Sequence, residues 1–491
     1  MAKANVDPVI DSPTYMGNIR YFFSVDDIDH MGKKGIDLGS YNGVKAHAVQ
    51  IYSAVVAGQM PPKPAIPWSA NRSQTFLNWM KAGYPMGQAP AAGVVAFQAT
   101  QPGARVRKDV ANLTDAEAQL LTKAFQGLMD LDVSDPENPN GYFALAGLHG
   151  LPKLFCQHHN DPFNPWHRIY LKMFEDALRS VDGCGDVTLP YWDISKPIPK
   201  LLKSGLFSAY TFPGPIGIYN KGDKTQRYTQ TKIDGFLKRF DFFGDTDRSM
   251  AQNRWGTYVS GGQTGSGYQQ FSIQAHDSGH LATGPTMADQ SVASYDPIFW
   301  FYHCNLDRFW LSWQEKMHAM DWTSFQSLLD NSLFWTAPLN VVEPFNTTTD
   351  QTIAFGVVYE EPMMAKRPLE TMVRTMEATR GFQISSASEV AVRVENIERI
   401  NVPGSFVVNL LANGKPIASR AFFQPADPGG CKTCVTIPKI GLEFRVPQAL
   451  IMDKKLSVAI EVPSQKDIGA GFPLSGVGQP TIKVSLLLDE V

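Results

Sequence analysis

The sequence predicts a multidomain α+β protein. A helical N-terminal extension or cap covers residues 1–100, a central, mainly α-helical four-helix-bundle domain built around paired metal sites covers 101–360, and an antiparallel β-sandwich-like domain covers 371–491. Three observations carry this reading. Seven of the ten histidines fall in two short stretches, and six of those have the spacing of two three-imidazole sites. The segments around them repeat apolar residues every three or four positions, as helices do. From about Thr371 the pattern changes to alternation with period two, as strands do.

In the first hundred residues, the run YNGVKAHAVQIYSAVVAGQMPPKPAIPWSANRSQTFLNWMKAGYP places two amphipathic helices on either side of a proline-rich connector. No CxxCH is present, so no haem is assigned. His30 and His47 lie here without ligand partners at useful spacing and read as non-catalytic.

The central block opens on VRKDVANLTDAEAQLLTKAFQGLMDL, where Thr114 is an N-cap for the helix that follows. In GLHGLPKLFCQHHNDPFNPWHRIYLKMFEDALRS, Pro162 and Pro165 interrupt the chain before a helix that starts near Trp166. His167 sits in its first turn, with Phe163 and Trp166 as an aromatic wall. Loops or short helices deliver His149 and His158. In FSIQAHDSGHLATG, His276 and His280 are four apart, so one helix face carries both rings. Pro297 to Glu315 reads as a second helix, with Phe299, Tyr302, His303, Leu306, Phe309, Trp310 and Trp313 at helical spacing, and His303 faces the first pair. His318, near its end, reads as a surface or packing residue. SAYTFPGPIGIYNKG and YVSGGQTGSGYQQ read as long loops that shape the mouth of a cleft.

Neutral imidazole suits copper, zinc, iron and nickel, whereas magnesium and calcium ask for oxygen ligands that these stretches barely offer. Six imidazoles without a ligating carboxylate favour two copper ions over a hydrolytic zinc pair. Histidines from helices facing a buried pair of ions are an established way to build such a centre inside a bundle.

EVAVRVENI, GSFVVNLLANG, ASRAFFQ, GLEFRVP, LSVAIEV and TIKVSLLLDEV supply the strands of the last domain, with a turn at Asn413-Gly414. A glycine-rich turn between them holds Cys431-Lys-Thr-Cys434, which could bind a soft ion such as Cu(I), form a disulfide, or be incidental.

NPWHRIYLKMFE, LPYWDIS, HDSGH and DPIFWFYHCNLDRFW resemble the two copper-binding signatures of the tyrosinase, catechol oxidase and haemocyanin superfamily, over about residues 105–360. The resemblance implies that His149, His158 and His167 hold the first copper and His276, His280 and His303 the second, with His159 outside the ligand set. It implies a type-3 copper oxidase that uses dioxygen as co-substrate to convert phenols or catechols to o-quinones. It also implies a thioether between Cys156 and His158, and places Phe299 against a ligand of the second copper. Asn305 and Asp307 match the HxNxDR pattern behind the last ligand, Asp307 pairing with an arginine such as Arg168 or Arg308. Many relatives carry asparagine directly after the first ligand of the second copper, with a glutamate upstream; here those places hold Asp277 and Gln274. Diphenol oxidation is therefore expected ahead of monophenol hydroxylation. The β-rich domain is similar to lids that cover the copper cleft, and a fungal protyrosinase with a comparable CxxC implies copper delivery by Cys431 and Cys434. An o-aminophenol oxidase and a haemocyanin-like oxygen carrier remain open readings of the same scaffold.

Composition sets the outer bounds. With 491 residues, 43% hydrophobic and 19% charged, the chain can bury two or three cores. A net charge of -3 gives no case for nucleic acid or an anionic membrane as partner. No apolar run reaches a membrane span, and the start, MAKANVDPVIDSP, lacks the apolar core of a signal peptide. Five cysteines, an odd number thinly spread, argue against a disulfide framework. The expectation is a cytoplasmic protein acting on a small phenolic substrate, and one that can form a homo-oligomer.

Overall fold

Thr114 opens the first long helix of the central region as the sequence predicts. Its hydroxyl accepts the Glu117 N–H while the Glu117 carboxylate accepts the Thr114 N–H, a reciprocal capping box. A computed structural model describes residues 105–256, 264–329, 389–463 and 468–486 without interruption, and shorter stretches that include 9–15, 41–60, 68–87, 349–353 and 356–360. The proline-rich connector at 61–67, His30, and the expected junctions at 88–104 and 361–388 lie outside the described residues.

The N-terminal part contributes α1 (Tyr41–Ala46), α2 (Ala48–Val56) and α3 (Ala70–Lys81), packed around Ile19, Val44, Ile51, Phe76 and Trp79. His47 Nδ1 bonds the Gly43 carbonyl one turn back, a local helix contact.

The central part is built from α4 (Asp115–Ser134), α5 (Phe163–Ser180), α6 (Gln230–Arg239), α7 (Phe242–Ala251), α8 (Gly267–Thr283) and α9 (Ile298–Lys316). α5 starts at Phe163, three residues before the expected Trp166. Pro165 falls inside its first turn, where a missing N–H leaves no intrahelical bond unmade, so the proline is accommodated rather than excluded. α9 is buried on every side from Ile298 to Gln314, which explains its aromatic composition. Its charges are neutralised internally. Asp307 accepts from Arg168 Nε at 2.6 Å and from the Tyr359 hydroxyl at 2.7 Å, while Glu175 of α5 accepts from Arg105 and Arg107. Burial pushes the Glu175 carboxyl up, but the two guanidiniums overcome it and hold it below the usual range. Those arginines lie on β1 (Arg105–Arg107), which pairs in parallel with β2 (Val357–Tyr359).

The C-terminal part is two antiparallel sheets packed face to face. One has the order β6 (Lys439–Pro447), β3 (Glu389–Glu398), β9 (Gly478–Leu486). The other has the order β5 (Lys415–Phe422), β4 (Phe406–Ala412), β7 (Leu456–Pro463), β8 (Ile468–Phe472). Alternate residues such as Val392, Val394, Val408, Leu410 and Phe444 fill the space between them. The Asn413-Gly414 turn joins β4 to β5, with both residues at positive φ as a tight hairpin requires.

This sandwich docks on the helices through a polar seam. Arg420 of β5, buried, donates to the Phe240 carbonyl at 3.0 Å and to Asp241 at 3.1 Å, and Asp245 lies 3.5 Å away. Arg239 reaches Glu461 at 2.8 Å, and the Gln274 side chain bonds the backbone N–H and carbonyl of Glu443. Among the described residues, no helix is long and apolar enough to cross a membrane.

Candidate metal centre

Six histidines from four places in the chain converge in the centre of the helical core. α5 brings His167, α8 brings His276 and His280 on one face, and α9 brings His303; α4 contributes none. His149 and His158 come from the irregular segment between the short helix Tyr142–Ala146 and α5. Two groups form, His149 with His158 and His167, and His276 with His280 and His303. Within each, one nitrogen per ring lies within 4.8 Å of the others. The groups face each other: the rings of His167 and His303 stack at 4.6 Å, and His158 lies 5.3 Å from His276. Gly279 makes this approach of α8 to α9 feasible, because a Cβ there would stand 2.1 Å from the Tyr302 hydroxyl.

Three of the rings are aimed through their outer nitrogen. His167 Nδ1 donates to the Phe163 carbonyl at 2.7 Å, His280 Nδ1 to the Met287 carbonyl at 2.9 Å, and His276 Nδ1 to Asp277 Oδ1 at 2.8 Å. Each bond fixes the tautomer that leaves Nε2 with a lone pair toward the centre. Among the described residues, the inward nitrogens of His167 and His276, and both nitrogens of His149 and His158, are buried without a hydrogen-bond partner. Such orphans are costly inside a protein, and a shared cation satisfies them. Burial pushes all six imidazoles toward their neutral form, His167 and His280 down to about 3. Neutral imidazole is the ligating form. The donor set therefore fits two ions of the type that imidazole prefers.

Aromatic rings close the centre. Phe299 stands 4.2 Å from His303 and 4.7 Å from His149, and Phe163 stands 4.6 Å from His167 and 4.7 Å from His276. The remaining side is covered by Phe423, the residue after β5. Its ring lies parallel to His280 at a centroid distance of 4.0 Å and an angle of 15°, and stands 5.5 Å from both His158 and His276.

The other candidates take distinct places. Asp277 accepts from His276 through Oδ1, and through Oδ2 from His159 Nε2 at 2.7 Å and from the Phe423 N–H at 3.1 Å. Burial pushes its carboxyl up, opposed by His159 and the Phe423 N–H. Gln274 bonds Gln270, Asp245 and the backbone of Glu443, and so lies on the seam with the sandwich. Asn305 accepts from Arg308 Nε at 3.1 Å. Cys156 is buried, its Sγ accepting from Gln290 Nε2 at 3.1 Å. Cys431 and Cys434 are buried, with Cys434 Sγ accepting from Arg399 Nη2 at 3.1 Å.

Sequence reasoning passed over His159, Phe422 and Phe423. His159 has a positive φ of 56°, a conformation a non-glycine residue takes only where its surroundings fix it. That turn aims its ring at Asp277 and stacks it on Phe422 at 4.1 Å. The signal in the sequence was the doublet His158-His159, of which one ring serves each side of the centre.

The family model described as the common central domain of tyrosinase matches residues 139–255 and 204–316. Hemocyanin 2 of Megathura crenulata is 31% identical over 243 residues, which is 43% of this chain and 6% of that protein. A tyrosinase from Hahella sp. is 25% identical over 251 residues, 43% of this chain and 53% of that one. The chain thus matches only part of the length of these relatives. Among solved structures, the tyrosinase from Burkholderia thailandensis aligns with a TM-score of 0.54 at 19% identity, covering 78% of this chain and all of the other. A functional unit of octopus hemocyanin aligns with a TM-score of 0.55 at 17% identity and the same coverage. These likenesses establish the shared fold.

Proposed function

The chain belongs, by its central domain, to the tyrosinase family of type-3 copper proteins, and from that premise we propose that it uses two copper ions and dioxygen to oxidise catechols to o-quinones. One observation carries this reading. The protein lays a benzene ring, that of Phe423, flat on His280 and beside His158 and His276. The space over the second histidine group therefore has the shape and stacking surface of a phenol.

When bound, the copper pair supplies the two-electron oxidising chemistry through dioxygen. The chain's own residues do the rest. Asp277, Met287 and Phe163 hold three ligand rings at fixed angles through their outer nitrogens. Phe299 and Phe163 keep water from the centre. Stacking on His280 orients an incoming aromatic ring once Phe423 withdraws. The same withdrawal removes the Phe423 N–H from Asp277 Oδ2 and leaves a carboxylate lone pair at the mouth, where it can take a phenolic proton. Hydroxylation of monophenols rests on that proton transfer.

The C-terminal sandwich acts as a lid in this reading, with Phe423 standing in for substrate. A thioether between Cys156 and His158 belongs to the same reading and would be revealed by a cross-linked peptide, and Cys431 with Cys434 would pass Cu(I) inward from a limiting supply. The deciding experiment loads the protein with copper, opens the lid by Phe423→Ala, and follows oxygen uptake and quinone absorbance on catechol, tyrosine and an aminophenol. Quinone from catechol is expected. Reversible oxygenation without quinone would make the protein a carrier, the alternative that the haemocyanin resemblance leaves open. Metal analysis giving zinc or iron in place of copper would remove both readings.

A further inference from the structure

Cys431 is the N-cap of the short helix α10 (Lys432–Thr436) and Cys434 its third residue. Cys431 Sγ accepts the Cys434 backbone N–H at 3.3 Å. Cys434 Sγ in turn accepts from Arg399 Nη2 at 3.1 Å. Arg399 is buried, donates through Nε to Gln424 Oε1 at 3.0 Å, and lies 4.8 Å over the ring of Phe422, while its Nη1 has no hydrogen-bond partner among the described residues. Phe422 stacks on His159 and Phe423 on His280. Gln424 ties the same strip to the carbonyls of Val402 and Gly404. One unbroken run of contacts therefore joins the two sulfurs, the guanidinium and residues 422–424, of which Phe423 covers the metal centre.

We propose that Cys431 and Cys434 form a reversible disulfide, and that forming it loosens residues 422–424 through Arg399, so that access to the metal centre follows the thiol redox state. With a small disulfide such as oxidised glutathione as oxidant, the Cys431 thiolate attacks one sulfur and expels one glutathione thiolate, leaving a mixed disulfide. Cys434 gives up its proton, attacks the Cys431 sulfur and expels the second thiolate. The protein dithiol loses two electrons, and one glutathione disulfide becomes two thiols. Cys431, the N-cap of α10, accepts the Cys434 N–H and its thiol is held below the usual range against burial, so Cys431 is the attacking sulfur.

The direction of the effect follows from Arg399. In the dithiol form the guanidinium donates to the Cys434 sulfur, and its charge favours the anionic form of the neighbouring Cys431. A disulfide carries no charge and accepts hydrogen bonds poorly, which leaves a buried cation with one unpartnered N–H already present and another weakened. A buried charge that loses its partner is strongly destabilising. The strip that Arg399 supports can relieve this by moving outward.

This inference rests on Phe423 acting as the cover, and its test is independent of any oxidase activity. The full chain is equilibrated with reduced or with oxidised glutathione and followed by peptide mapping and amide hydrogen exchange. The Phe423 and Gln424 N–H groups, bonded to Asp277 and Ser405, are the reporters. The oxidised sample should contain a Cys431–Cys434 disulfide and exchange at residues 422–424 about tenfold faster, with α9 unchanged. Arg399→Met should exchange fast in both samples. A disulfide that leaves the exchange unaltered, or a chain that forms no disulfide in oxidised glutathione, overturns the proposal. Because the readout involves no substrate, a failure of quinone production leaves it standing, and slow exchange with active enzyme removes it alone.

Discussion

The ring of Phe423 lies parallel on the imidazole of His280, 4.0 Å away, while its own backbone N–H reaches the Asp277 carboxylate at 3.1 Å. A single residue of the C-terminal sandwich thus touches one histidine of the second group directly and the neighbour of another through one hydrogen bond.

Phe423→Ala removes the ring and keeps the N–H. Truncating a fully buried phenylalanine costs about 3–5 kcal/mol, and here that loss falls on docking of the lid. Initial rates of catechol oxidation by the copper-loaded variant should rise by about tenfold or more, because the fraction of open molecules scales the apparent rate. Equal rates in variant and parent would show that Phe423 does not close the centre.

Asp277 tests the aiming of His276. Asp277→Ala leaves the ring free to rotate and strands His159, so copper affinity of the second group should fall by roughly 10–100-fold. Asp277→Asn keeps an acceptor for His276 and should lose less. Competition of the protein with a chelator of known strength measures both. Undiminished affinity in the alanine variant would mean that the ring is held by packing alone.

The helical spacing of His276 and His280, the aromatic repeat around His303 and the period-two alternation after Thr371 were legible because each follows from local geometry. The metal centre was legible for the same reason, with four of its six rings on three long helices. The contacts between the sandwich and the helices were not. Phe422, Phe423 and Arg420 read as ordinary strand residues, and their partners His159, His280 and Asp241 lie at least 140 positions away, where no periodicity reaches. Gln274 illustrates the cost of working along the chain. Two positions before a ligand it invites a role at the metal, yet its amide is spent on the backbone of Glu443.

The seam itself yields to Arg420→Met. Asp245 would then keep a buried carboxylate with Arg248 as its remaining cation, and breaking a buried pair from one side costs about 3–5 kcal/mol. Limited proteolysis should cut the junction between helices and sandwich sooner, with the melting of the helical core little changed. Gln274→Ala should loosen the seam in the same sense by less. On a Phe423→Ala background it should leave kcat for catechol unchanged; a fall in kcat would place Gln274 in the chemistry after all.

A pH effect on stability is expected from Asp132, far from the lid. It accepts the Phe143 N–H at 3.0 Å and the Tyr210 hydroxyl at 2.7 Å, which ties α4 to the short helix that precedes His149. Burial nevertheless pushes its carboxyl from 3.8 up to about 6. The native chain then binds this proton more tightly than the unfolded chain, so between those two values it holds more protons and its stability falls as pH rises. The contribution is complete below 3.8 and lost once pH has passed about 6. Asp132→Asn keeps an oxygen for the Phe143 N–H and cannot ionise. Its melting temperature relative to the parent should therefore climb as pH is raised through that window and level off toward neutrality, by an amount on the order of 1–3 kcal/mol in stability. A difference between variant and parent that stays flat across the window would show that Asp132 is ionised in the folded protein at acid pH. The loop to His149 would then be anchored by a full charge rather than by a shared proton.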